Sequence, residues 1–245
     1  MATNRIEEYR GVVLDRIPQK EHDAMIRALG EKGFFSFYAR GALKMGSSSS
    51  SCTQELALSD FNLVVSSQGA MTLKEGRLQK LYEPQGGLEG MLVASMLLEY
   101  SRKAVHEEDG PAHYPLLCSC LEALGQGKDP WTIAIMFLSK SLVRCGLGFE
   151  VDHCVVCGSK ENIVAMDPVH GGFLCEECFN KVTTVPACGS TALKVYRHAF
   201  RCPEQDLFRV KYPKGECRDV LILLLRYIQD EQGIRLRSLE PILKY

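Results

Sequence analysis

Four cysteines constrain this chain more than any other feature. Cys154, Cys157, Cys175 and Cys178 form C-x2-C-x17-C-x2-C. Two short knuckles with a spacer of this length bring four thiolates to one tetrahedral centre, the arrangement Zn2+ takes in closed structural sites. Gly158 follows the first knuckle, where a tight turn lets backbone N–H groups approach the sulfurs. Gly171 and Gly172 precede the second, where the chain folds back. Four sulfur ligands leave no open coordination position, so a zinc ion held here does not activate water. The other readings are a disulfide pair, buried free thiols or a redox C-x-x-C. Two copies at this separation, without a thioredoxin-like strand–turn–helix, weigh against them.

The 245 residues suffice for one large domain or two small ones, and 46% hydrophobic with 24% charged residues excludes wholesale disorder. No run of about 20 apolar residues is present, and the opening MATNRIEEYR lacks the apolar centre of a signal peptide. A cytosolic protein without membrane attachment is therefore expected. In that compartment eleven cysteines read as thiols and metal ligands rather than as a disulfide framework. Cys52, Cys118, Cys120, Cys145, Cys188, Cys202 and Cys217 fall outside the four and read as small buried hydrophobes.

The net charge of -1 is unevenly spread. Residues 1–82 carry +2, residues 83–150 carry -4 and residues 194–245 carry +4. The two ends suit a polyanion better than the middle does.

Residues 1–82 read as five short strands. Tyr9 to Ile17 and Phe34 to Arg40 are strand candidates; His22 to Leu29 is either strand or short helix by periodicity. Leu56 to Val65 and Met71 to Leu81 supply two more strands about a turn at Ser66–Gly69, and the five serines Ser47 to Ser51 read as a flexible loop. Five strands with frequent turns predict a small barrel of the OB type. Beyond Pro84 the pattern turns helical. Leu88, Met91, Leu92, Ser95, Met96 and Glu99 trace one helix stripe, and Pro111 opens a helix stopped at Gly125. Asp129 and Pro130 read as N-cap and first residue of a helix ending near Gly146. The cysteine module, at about 150–185, is then an insertion between helices. Ser190 caps the next helix, and Val220 to Gln232 is the last long one, closed by Gly233. The expected fold class is α+β and multidomain: a β-barrel at 1–82, then an α-helical domain at 83–245 carrying a four-cysteine zinc-finger insertion.

In this order, several segments resemble RecO, a bacterial recombination-mediator family. They are Ala39-Arg40-Gly41-Ala42-Leu43-Lys44, the helix end Phe137-Leu138 through Leu142 to Phe149, Met166-Asp167-Pro168, Gly171 to Cys175, and Gly233 to Leu239. The resemblance covers nearly the whole chain. It implies an N-terminal OB-fold, a helical domain with a zinc module, and binding of single- and double-stranded DNA. It further implies annealing of strands coated by single-stranded-DNA-binding protein, binding of that protein's acidic C-terminal tail, and RecA loading together with RecR. It implies no enzymatic turnover, and a cytoplasmic, nucleoid-associated location. Ile135 and Met136 stand where some members carry an Arg before the Phe of the pre-knuckle helix.

Candidate phosphate contacts on the barrel are Arg10, Arg16, Lys20, Arg40, Lys44, Lys74, Arg77 and Lys80, with Phe35, Phe37 and Tyr38 as stacking candidates. Phe35 and Phe37 share one strand face and Tyr38 takes the other. Arg197, Arg201, Lys211, Lys214, Arg235 and Arg237 form a second basic set. A tail pocket is expected at Phe137, Lys140 and Arg144, which a helix places on one face. His153 and His170 flank the knuckles and are expected outside the ligand set. There is no G-x-x-x-x-G-K-[ST], H-E-x-x-H or G-x-S-x-G motif, and His106-Glu107-Glu108 reads as a charged loop between helices. Two other function classes stay open: a zinc-containing enzyme or redox protein with a hidden site, and a scaffold for protein partners only.

Overall fold

A computed structural model describes residues 5–181 and 185–243. By compactness the chain forms two units, Met1–Gln85 with Leu97–Gln126, and Gly86–Met96 with Gly127–Tyr245.

The first unit is built on five strands, β1 (Arg5–Pro18), β2 (Ala24–Gly30), β3 (Gly33–Ala39), β4 (Ala57–Val65) and β5 (Met71–Leu81). They close into a barrel in the order β1-β2-β3-β5-β4. All neighbours are antiparallel except β3 and β5, which meet in parallel at Tyr38 and Thr72. Alternation drives closure: along β4 every second residue is buried. The interior holds Val13, Ile26, Phe35, Phe37, Phe61 and Leu63. Segment 22–29, ambiguous by periodicity, supplies β2, because its apolar residues find partners on both β1 and β3. Phe35 and Phe37 are both core.

The serine run is not a flexible loop. Ser47 accepts a hydrogen bond from the Ser50 N–H at 3.0 Å and caps a short helix, α1 (Ser48–Cys52). That helix seats Cys52 against β5 at Gly76, where an added Cβ would collide with the Cys52 sulfur. Helix α2 (Gly87–Ala104) runs covalently from the second unit into the first. A 3-10 turn at Glu107–Asp109 leads to α3 (Gly110–Gly125), which packs on β2 and β3.

The second unit contains α4 (Pro130–Arg144), capped by Asp129, whose carboxylate accepts from the Thr132 N–H at 2.9 Å. A hairpin of β6 (Ile163–Asp167) and β7 (Gly172–Cys175) follows, then the one-turn α5 (Glu176–Phe179). Helix α6 (Ser190–Arg201) is capped by Gly189 rather than Ser190. Helix α7 (Lys214–Gln232) starts six residues before Val220, because its first turn packs through Cys217, and it ends on Gly233 in the left-handed conformation. Helices α4, α6 and α7 pack on one another, and the short α8 (Glu240–Leu243) follows. Of the cysteines outside the four, Cys52, Cys120, Cys202 and Cys217 are buried as expected, whereas Cys118, Cys145 and Cys188 are only half-buried. No described helix is long and apolar enough to cross a membrane.

Candidate metal centre and nucleic-acid interface

The cysteine module is a small hairpin with knuckles at both ends. Gly158, at φ +75°, turns the first knuckle so that its N–H reaches the Cys154 carbonyl at 2.8 Å. The Val155 N–H bonds the Phe173 carbonyl at 2.9 Å, pinning that knuckle to β7. Cys175 ends β7 and caps α5, which carries Cys178. The four sulfurs lie within 4.8 Å of one another, and Cys157 and Cys175 are 3.6 Å apart. A tetrahedron with bonds of about 2.3 Å has sulfur–sulfur edges of roughly 3.8 Å, so the four fit one small ion.

Electrostatics point the same way. Burial pushes the Cys154 thiol up, but backbone N–H donors of Cys175, Cys157 and Val156 outweigh it and bring the thiol down to about 6. Burial and the neighbouring thiols push Cys178 up to about 12. One thiolate forms readily and a fourth does not, unless a cation joins them. Around the sulfurs, the described residues form a small cluster of Ala165, Leu174 and three of the cysteines, edged by Val155, Ile163, Val164, Phe179 and Val185.

Both histidines lie outside the set. His170 bonds the buried Asp167 carboxylate at 2.5 Å, and His153 lies 3.4 Å from Glu150. Arg201 and Arg197 of α6 pair with Asp152 at 2.5 and 3.2 Å, tying the module to that helix.

The sequence matches the family model for the C-terminal part of recombination protein O over residues 85–240. That span is more than half of the chain. The chain belongs to the RecO family. Similar curated proteins are DNA repair protein RecO of Exiguobacterium sibiricum, 31% identical over 95% of this chain and 94% of the relative, and that of Bacillus pumilus, 29% identical over 93% and 90%. RecO of Bacillus cereus strain B4264 is 24% identical over 95% and 94%.

In this RecO-family chain the eight barrel cations fall into separate groups. Arg16, Lys20, Arg40 and Lys44 gather at one end, where β1 turns into β2 and β3 leaves the sheet. Arg16 donates to the Ala42 carbonyl at 3.2 Å, and none of the four forms an ion pair among the described residues. Their loop is locked by Asp23, which accepts from the Tyr38 hydroxyl at 2.5 Å and the Gly41 N–H at 2.9 Å. Those donors, the hydroxyl first, hold the Asp23 carboxyl below its usual range. Local pattern cannot reveal this lock, because it needs the β2–β3 register. Arg10 and Arg77 sit at the other end, opposite Asp60 across β1, β4 and β5. Arg10 holds Asp60 with two bonds, at 2.5 and 3.0 Å. Lys80 pairs with Glu122, and Lys74 is exposed.

The expected tail pocket does not open as a slot. Residues 137, 140 and 144 do share a helix face, but α4 packs against both α6 and α7. Phe137 is fully buried. Lys140 is 6% exposed and donates to the Phe200 carbonyl at 3.0 Å, and burial lowers its pKa. Of the three, only Arg144 reaches the surface, paired with Glu204 at 2.6 Å.

Proposed function

We propose that this protein is a DNA-binding recombination mediator in DNA repair, acting by binding and annealing rather than by turnover. The reading includes strand annealing on DNA coated with single-stranded-DNA-binding protein and loading of RecA together with RecR. It places the protein in the cytoplasm, at the nucleoid. The barrel is taken as an OB-fold: five strands in a closed 1-2-3-5-4 order support that assignment. The observation that carries the DNA assignment is the cluster of Arg16, Lys20, Arg40 and Lys44 on a locked loop at one barrel end, without ion pairs among the described residues. Cations not tied up in ion pairs are available to neutralise phosphates. Lys74 on β5 is exposed and adds to that surface, whereas Lys80 is held by Glu122. Family membership supports the same reading.

The four cysteines are proposed to hold one structural Zn2+, which would supply only a cross-link, since four sulfurs leave no site for substrate. The single-strand-binding protein's tail is proposed to dock on the helical unit, with Arg144 exchanging its Glu204 partner for the tail carboxylate.

Titrating fluorescent single-stranded DNA at several salt concentrations tests the central assignment. Affinity should fall steeply with salt. Arg40→Ala/Lys44→Ala should weaken binding alike for all sequences and reduce the log–log salt slope by about 1.4, at roughly 0.7 per phosphate contact on single strands. An unchanged slope refutes the barrel-end assignment. Separately, Arg144→Glu should weaken binding of the tail peptide; unchanged affinity moves the tail elsewhere.

A further inference from the structure

At the cationic end of the barrel, the rings expected to stack on bases are already engaged. Phe35 and Phe37 lie in the core, and the Tyr38 hydroxyl is tied to Asp23 at 2.5 Å. Cations hold the phosphates of a strand, but phosphate contacts alone leave its bases in water. The loop that carries Arg40 and Lys44 offers an apolar group instead. Met45 is 95% exposed, more than any other large apolar residue among the described residues.

That exposure is built into the loop. The Lys44 N–H bonds the Gly41 carbonyl at 3.1 Å, and the Ser47 N–H bonds the Lys44 carbonyl at 3.2 Å, so residues 41–47 make two successive turns. Met45 and Gly46 are the two corners of the second turn, and Gly46 takes φ +75°. The turns are fastened from below. The Ser47 hydroxyl donates to the Gly41 carbonyl at 2.6 Å, and the Leu43 N–H donates to the His22 carbonyl at 2.9 Å. Ala42 is buried, and Leu43 packs against the barrel core. The loop thus presents Met45 at the corner of a fixed turn. Lys44 is its neighbour, Arg16 reaches the same loop at the Ala42 carbonyl, and the bond to His22 joins it to the turn that carries Lys20. A lone exposed methionine is ordinary surface. This one stands among four cations that form no ion pair among the described residues, on the loop those cations share.

Resting on the DNA reading of that cluster, we propose that Met45 is a base-contacting residue: its thioether packs against an unstacked nucleobase of a single strand whose phosphates the cations hold. A methionine side chain is flexible, and its polarisable sulfur packs favourably on aromatic rings. Every base has a π-face, so the contact carries no sequence preference. In a duplex those faces are covered by stacking. Met45 therefore favours single strands, whereas the cations attract single strands and duplexes alike.

Titration of the full chain with a fluorescent oligothymidine, an abasic oligonucleotide of equal length and a duplex, each over a salt series, tests this. Met45→Ala should weaken oligothymidine binding by about fivefold and leave the log–log salt slope unchanged, because an apolar contact releases no counterions. It should change binding of the abasic strand and of the duplex little. Met45→Phe supplies a stacking ring and should keep or tighten oligothymidine binding. Unchanged oligothymidine affinity in Met45→Ala overturns the proposal. So does an equal loss on the abasic strand, which would make Met45 a support for the loop or a backbone contact, and so does an equal loss on the duplex. Arg40→Ala/Lys44→Ala separates this proposal from the DNA assignment. A reduced slope there with a silent Met45→Ala overturns the base contact alone, while an unchanged slope with a silent Met45→Ala removes the cluster as well. Met45 is exposed, and a thermal melt confirms that each variant is folded.

Discussion

The barrel and the cysteine module are held together by opposite means. The barrel is held by burial: five strands enclose Phe37, Phe61, Ile26 and Leu63, each at or near zero exposure. No single residue carries it, and its closure rests on pairing between segments dozens of residues apart. The module buries a handful of small side chains around its sulfurs. A cluster that small does little to offset the entropy of ordering the chain, so the proposed metal cross-link is expected to supply the rest. The two regions are therefore fragile in different ways. The barrel is expected to fail gradually as its packing is disturbed, and the module at once if a metal held by its cysteines is removed.

Breaking the module's centre should give the largest effect. Cys157→Ser should lower zinc affinity by more than about a hundredfold, and strong chelation should strip the ion; either leaves the hairpin without its staple. Metal analysis and hydrogen exchange check this: protection should vanish across residues 150–181 while barrel amides keep theirs. Equal loss in the barrel would erase the contrast, and purified protein without zinc would remove its basis.

Overpacking the barrel should give a moderate, reparable loss. In Gly76→Ala the new methyl runs into the Cys52 sulfur. A cost of about 1–3 kcal/mol is expected, read by urea melting. Adding Cys52→Ala removes that sulfur and should recover part of the loss. If the double variant is no better than the single, α1 does not seat on β5 as described.

A smaller effect is expected where the module meets α6. Arg201 pairs with Asp152, but its side chain is about half exposed. Arg201→Ala should cost under about 1 kcal/mol, because solvent screens such pairs. Metal content should stay whole. Zinc loss in this variant would show that ion pairs, and not sulfur ligation, hold the module.

The smallest effect concerns pH. Burial lowers the His198 pKa below 6.5, with the Lys140 charge adding to it, and its Nδ1 lies 2.6 Å from the Tyr212 hydroxyl. Between the folded pKa and 6.5 the unfolded chain binds more protons, so stability rises with pH there and is lost as pH falls through that window. His198→Gln should flatten the pH dependence of melting in that window. The barrel's midpoint should be insensitive to this substitution.

These contrasts track what could be read in advance. The cysteine spacing carried its own geometry, because knuckles of two intervening residues are local and the hairpin of β6 and β7 brings them together. Asp129 and Pro130 opened α4 as their types require, and Gly233 closed α7 for the same local reason. The β5 limits, Met71 and Leu81, follow from turn residues and apolar alternation.

Other features depended on partners far away in the chain. Whether residues 22–29 were strand or helix was decided by β1 and β3. The serine run became a helix because Cys52 has a seat at a glycine on β5. Helical spacing correctly put Phe137, Lys140 and Arg144 on one face, yet packing against α6 and α7 turned most of that face inward. Similarly, eight cations looked equivalent along the sequence, and strand register sorted them. Arg10 was given to Asp60 and Lys80 to Glu122, while Arg16, Lys20, Arg40 and Lys44 stayed without ion pairs among the described residues. Sequence alone thus determined the four-cysteine constellation, the strand-rich start and helical remainder, and the family, since each is written in short spacings and residue types. Tertiary structure decided which charges remain free, because charge pairing depends on which strands lie side by side.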